Sequence, residues 1–177
     1  MLLNINTSNN KKLNDFYLKA INELYDFFEI KLTHKPNIFF VESRLIIDSL
    51  KFKKTPNWLV GWTSKSNVFL LKQDVFGTES NRGKINGDHY YSLFKHEICH
   101  VYLNQITNNT TKPLWFLEGI CLYLSGQLKY RNQPKEFRSF LQYYSLTDSE
   151  DRLYEEPGFV IETLVKKYGK SRLLELI

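Results

Sequence analysis

The chain has 177 residues, 42% hydrophobic and 15% aromatic, which excludes an intrinsically disordered polymer and provides for one core burying roughly 70% of the unfolded surface. Its 24 basic and 19 acidic residues give a net charge of +5 without a long basic block, so a nucleic-acid partner is allowed but not demanded. No segment approaches the run of about eighteen apolar residues that spans a membrane, and residues 1–10 lack an export signal's basic and apolar regions, which predicts a cytoplasmic protein with reduced cysteines.

In Lys11–Phe28 the residues Leu13, Phe16, Tyr17, Ala20, Ile21, Leu24, Phe27 and Phe28 recur at three- and four-residue spacing, which predicts an amphipathic helix with Pro36 beyond its end. Asn37–Val41 reads as a short strand, and Ser43 as the cap of a brief helix carrying Leu45, Ile46 and Leu50. Residues 58–62 and Asn67–Leu71 flank the polar Thr63-Ser64-Lys65-Ser66 and predict a hairpin, with 67–71 as the outer strand. The polar run 74–88, with Gly77, Gly83 and Gly87, is either a mobile loop over a functional site or an ordinary connector.

A buried helix is expected around residues 93–106, where Leu93, Phe94, Ile98, Val101, Leu103 and Ile106 supply apolar surface. Residues 104–112 form a polar turn, in which the sequons at Asn108 and Asn109 carry no further meaning in a reducing compartment. Pro113 starts a second helix that Gly126 closes, and helices over 134–144 and 157–168 follow, with Gly169 as a stop and 171–177 as a last turn or two. The expectation is a single α+β domain over 1–177. A small N-terminal mixed sheet with helices and the active helix makes up 1–106, and a helical half, 107–177, faces it across a cleft.

The chemistry is concentrated at His96-Glu97-Ile98-Cys99-His100. On a helix, positions i and i+4 share a face, so the two imidazoles can converge on one small cation, and zinc suits that geometry best. Glu97 lies roughly 100° around the helix, outside that ligand face but within reach of a water beside the ion, the place of a general base. Glu118 interrupts the apolar run 114–122, where an ionised carboxylate needs a compensating positive charge. The chain's four histidines are His34, His89, His96 and His100, so no third histidine ligand follows the motif, and Ile106 stands where one zinc-enzyme class requires it. His89, Cys99 and Cys121 compete with Glu118 as third ligand. Both cysteines lie about 60–80° off the face that their helix would turn to the metal, and Glu118 is preferred.

The segment 95–126, with this pentapeptide followed by Trp115-Phe116-Leu117-Glu118-Gly119, resembles the gluzincin branch of the zinc metallopeptidases, often called peptidase MA-like. Weaker similarity extends to 56–61 and 154–174. The resemblance implies a zincin-like fold, one Zn2+ ion held by His96, His100 and Glu118, and Glu97 as the catalytic acid and base in peptide-bond hydrolysis. The chain lacks the Gly-x-Met-Glu-Asn strand with which the clan's aminopeptidases hold a free amine, so an endopeptidase acting on peptide or protein substrates is expected. Leu122 stands where the family places an acidic partner for a ligating histidine. An oxyanion donor is sought among Tyr130, Tyr143, Tyr144 and Tyr154, and Tyr154 is chosen because it precedes the element that resembles the family's C-terminal helix. The alternatives are a zinc-binding scaffold without turnover and a nucleic-acid-associated zinc protease.

Overall fold

The computed structural model describes residues 3–4, 11–108, 112–137 and 154–177. Helix α1 (Lys11–Phe28) buries Ala20, Leu24 and Phe28, the stripe its spacing predicts. Strand β2 (Asn37–Val41) leads to α2 (Arg44–Lys51), whose first turn is capped by the Ser43 hydroxyl accepting from the Ile46 amide. A hairpin of β3 (Gly61–Ser64) and β4 (Asn67–Leu71) completes a four-stranded mixed sheet with the two-residue β1 (Leu3–Asn4). The order is β1-β2-β4-β3, with β4 parallel to β2 and antiparallel to β3.

Two details differ from the sequence expectation. The hairpin turns on Lys65 and Ser66 alone, with Lys65 in the left-handed region (φ 54°), so Thr63 and Ser64 belong to the strand and 58–60 do not. Residues 67–71 are an inner strand, because Val68, Leu70 and Leu71 are fully buried, and the more polar β3 takes the outer place.

Residues 73–80 are also more ordered than a loop over the site. A 3-10 turn (Gln73–Val75) runs into α3 (Phe76–Glu79), and Phe76 is fully buried. The Arg44 guanidinium donates to the backbone carbonyls of Glu79 (2.8 Å), Asn57 (3.0 Å) and Leu59 (2.6 Å), which pins this segment to 57–59 as a packed connector.

Helix α4 (Gly87–Ile106) is capped by Asn86 and buried on nearly every side, with Ile106 half-buried near its end. It runs between α1, the sheet and α5 (Leu114–Ser125). Pro113 precedes α5, and Gly126 ends it in the left-handed conformation (φ 74°), as expected. Helix α6 (Pro157–Leu176) packs along α5 and is kinked at Gly169 (φ 82°, ψ 164°), where the expected stop becomes a break that the helix resumes beyond.

The close packing of α5 on α6 depends on two glycines. A Cβ at Gly119 would lie 2.7 Å from the Pro157 carbonyl oxygen, and one at Gly158 would lie 2.9 Å from the Leu122 Cβ. Residues 134–137 are not helical, and the rest of the helix expected at 134–144 lies outside the described residues, as do Tyr143, Tyr144 and Asn109. Among the described residues the architecture is α+β and mostly helical, and no helix is long and apolar enough to cross a membrane.

Candidate metal centre

Helices α4 and α5 bring His96, His100 and Glu118 together, the three residues proposed as ligands from the sequence. The two Nε2 atoms lie 3.1 Å apart, His96 Nε2 is 3.3 Å from Glu118 Oε2, and His100 Nε2 is 3.4 Å from Glu118 Oε1. Ligands of a tetrahedral zinc with bonds of about 2.0–2.1 Å stand about 3.3–3.4 Å from one another, so the spacings approximate one face of such a tetrahedron. Glu118 Oε2 is buried and, despite its nearness to His96, has no hydrogen-bond partner. Two imidazoles and a carboxylate converging with an orphaned oxygen fit a zinc ion. Among the described residues no other group of histidine, cysteine and acidic side chains has this arrangement.

The electrostatics follow from the same contacts. Burial acts to raise the Glu118 pKa, but His100 and His96 override it and hold the carboxyl far below its usual range. For His100 burial acts downward, and the charge of Glu118, assisted by Glu97, pushes it up to about 9 instead. The apolar interior therefore keeps the carboxylate ionised only because positive charge stands against it. His96 Nδ1 is buried without a hydrogen-bond partner. The acidic partner missing at Leu122 is thus not replaced for this ring by another described residue.

Glu97 is 8% exposed and points to the same cavity. The Thr63 hydroxyl lies 2.9 Å from both the Glu97 carboxylate (Oε2) and its backbone carbonyl, so β3 holds this carboxylate in place. Gly61, two residues earlier on the same strand, leaves the space that the carboxylate uses, since a Cβ there would lie 3.0 Å from Oε1 of Glu97 and 2.9 Å from Leu70 Cδ1. The sequence reading assigned neither residue a role. Their spacing of two along a strand, which puts both on one face, is the signal that could have found them.

The cavity, of about 180 Å³, lies between β3 on one side and α5 on the other and is also lined by Tyr154. Tyr154 packs edge-on against Trp58, with ring centroids 5.7 Å apart. Tyr130 is instead exposed and stacked on His89, centroids 4.0 Å apart, which takes both out of contention as oxyanion donor and ligand. Cys99 and Cys121 are free, buried thiols outside the ligand cluster, and burial together with the neighbouring Cys99 pushes the Cys121 thiol up. Compared with family models, with curated proteins and with solved structures, the chain matches none.

Proposed function

We propose that this chain is a zinc-dependent peptide hydrolase of zincin-like fold and gluzincin type, acting as an endopeptidase. The observation that carries the reading is the near-tetrahedral spacing of the His96, His100 and Glu118 donor atoms, with a tethered carboxylate, Glu97, on the same cavity. A closed structural site has four protein ligands, whereas three protein ligands leave a fourth position for water.

Zinc, when bound, supplies Lewis acidity that polarises a carbonyl and acidifies water. The chain's own residues do the rest. Glu97, oriented by Thr63, accepts the proton of the attacking water and returns it to the amine nitrogen as the peptide bond breaks. The Tyr154 hydroxyl, on the wall of the same cavity, is the donor assigned to the developing oxyanion. An extended peptide would pair with the outer edge of β3, the strand that also carries Gly61 and Thr63.

Comparison of wild type with Glu97→Gln tests the reading. Both proteins are expected to bind zinc at a stoichiometry near one, and only the wild type to cleave a mixed peptide library. Zinc binding without cleavage by the wild type would identify a scaffold, and equal cleavage by both would remove Glu97 from the chemistry.

A further inference from the structure

A second cavity, of about 460 Å³, lies at the C-terminal end of α4 against the turn of the β3–β4 hairpin. Lys65 and Ser66 of the turn form one wall, Asn104 and Asn108 another, and Thr33 and His34 of the connector between α1 and β2 a third. Asn104 also lines the metal cavity, so the two spaces meet at this residue. The walls are tied to one another. Asn104 Nδ2 donates to the Lys65 carbonyl (3.2 Å), and the Gln105 side chain accepts from the Thr33 amide (2.7 Å) and hydroxyl (3.1 Å) while donating to the Lys31 carbonyl (3.0 Å). Connector and hairpin are thereby fixed before a ligand arrives, which lowers the cost of binding one.

The charges at this cavity have one sign. Among the described residues no carboxylate lines it, and the chain continues from Asn108 into the uncharged Asn109, Thr110 and Thr111. Lys65 is exposed on the turn and Lys31 and Lys35 are exposed in the connector, and among the described residues none of the three has an ion-pair partner. The carbonyl end of α4, worth about half a negative charge, opposes an anion, and Lys65 alone outweighs it. Position along the helix sets the reach. At about 1.5 Å per residue, Asn104 lies about 6 Å and Asn108 about 12 Å beyond His100, a span that an extended peptide of about 3.3 Å per residue covers in roughly two to four residues. Strand β3, the outer strand along the metal cavity, leads into the Lys65–Ser66 turn.

We propose that this cavity is a distal subsite for an aspartate or glutamate side chain of the peptide substrate, two to four residues from the cleaved bond, with Lys65 as the recognising charge. The substrate class rests on the hydrolase reading. The binding of an acidic side chain at Lys65 does not.

Two measurements separate the two claims. In the first, metal-free wild type is titrated with acetyl-Glu-Glu-amide, with acetyl-Gln-Gln-amide and with a short single-stranded oligonucleotide, followed by NMR. Saturable shifts of the Lys65, Ser66 and Asn108 signals are expected with the acidic dipeptide alone and are lost in Lys65→Gln, an exposed position whose folding is checked by thermal melting. Equal responses to the two dipeptides overturn the subsite, and tighter binding of the oligonucleotide at these residues overturns it in favour of a nucleic-acid surface.

In the second, zinc-loaded enzyme is given peptides cleaved at one bond, with glutamate, glutamine or lysine placed in turn at one to five residues on either side of it. A kcat/KM about three- to fivefold higher for glutamate than for glutamine is expected at a position two to four residues away, shrinking as salt is raised. Lys65→Gln should abolish the preference and Lys65→Glu should turn it toward lysine, which a merely structural role of Lys65 would not do. A glutamate preference absent at every position, or one that survives in both variants, overturns the subsite while leaving the hydrolase reading intact. Acidic-dipeptide binding that depends on Lys65, with no peptide cleaved, retains the binding site and removes the hydrolase reading.

Discussion

The two walls of the cleft hold their carboxylates in opposite ways. On the sheet side Glu97 is tied by a neutral donor, the Thr63 hydroxyl, into a pocket that exists because position 61 has no side chain. On the helical side Glu118 is just as buried, 6% against 8% exposed, yet one of its oxygens lacks any hydrogen-bond partner and stands 3.3 Å from the His96 Nε2. Its placement comes from the backbone of α5, pressed onto α6 through Gly119 and Gly158. A group that must change protonation during a reaction benefits from a fixed orientation, and a ligand benefits from an open valence. Under the proposed function, the contrast fits Glu97 for proton transfer and Glu118 for the metal.

The largest expected effect tests that division directly. Glu118→Gln removes the charged ligand and should lower zinc affinity by more than the roughly 10–100-fold that loss of an outer partner causes, whereas Glu97→Gln should leave it nearly unchanged. Competition with a chromophoric chelator measures both. Equal losses in the two variants would mean that both carboxylates touch the ion.

Gly119→Ala attacks the helical wall through packing alone. Its Cβ would meet the Pro157 carbonyl oxygen at 2.7 Å and Ile161 Cγ1 at 2.8 Å, and a backbone atom cannot step aside cheaply. A destabilisation of about 1–3 kcal/mol is expected in urea unfolding, with zinc affinity falling as α5 shifts. Stability within error of wild type would show that α5 is positioned by something other than this contact.

Thr63→Val, on the opposite wall, keeps the volume and deletes the tether. Here kcat should fall about tenfold or more at unchanged zinc affinity, because a freed Glu97 spends less time aligned. A change in KM alone would place Thr63 in substrate binding rather than in orientation of the base.

The helical wall was the more legible of the two in the sequence, and the reason is physical. A ligand set is written in rare residue types: with four histidines in the chain, two of them four apart, and one carboxylate inside an apolar run, few pairings remain. The spacing of α4 and the proline and glycine that bracket α5 left equally direct marks. The sheet wall is written in common residues whose meaning depends on which strand lies outermost. That order follows from long-range pairing of β2 with β4, which no local pattern encodes, and so 67–71 read as an edge while Gly61 and Thr63 went unassigned.

A third tie, on another face of α4, should affect stability and not chemistry. Glu23 of α1 accepts hydrogen bonds from the Lys95 ammonium and from the Tyr91 hydroxyl (3.0 Å), with Lys19 nearby at 3.8 Å. Burial acts to raise its pKa, but these groups override it, led by Lys95, and the net shift is downward. A carboxylate whose folded pKa is depressed stabilises the fold above its unfolded value, about 4.3 for glutamate, and loses that contribution as pH falls through the lower folded value. The Glu23 side chain is 38% exposed, so solvent screening keeps the effect small. Urea midpoints of wild type and Glu23→Gln should therefore differ modestly at pH 7 and converge as the pH is lowered below about 4. Zinc affinity at pH 7 should be the same in both. A drop in affinity comparable to that of Glu118→Gln would mean that α1 positions the ligands through α4, and the assignment of metal binding to the α4–α5 contact would have to include a third helix.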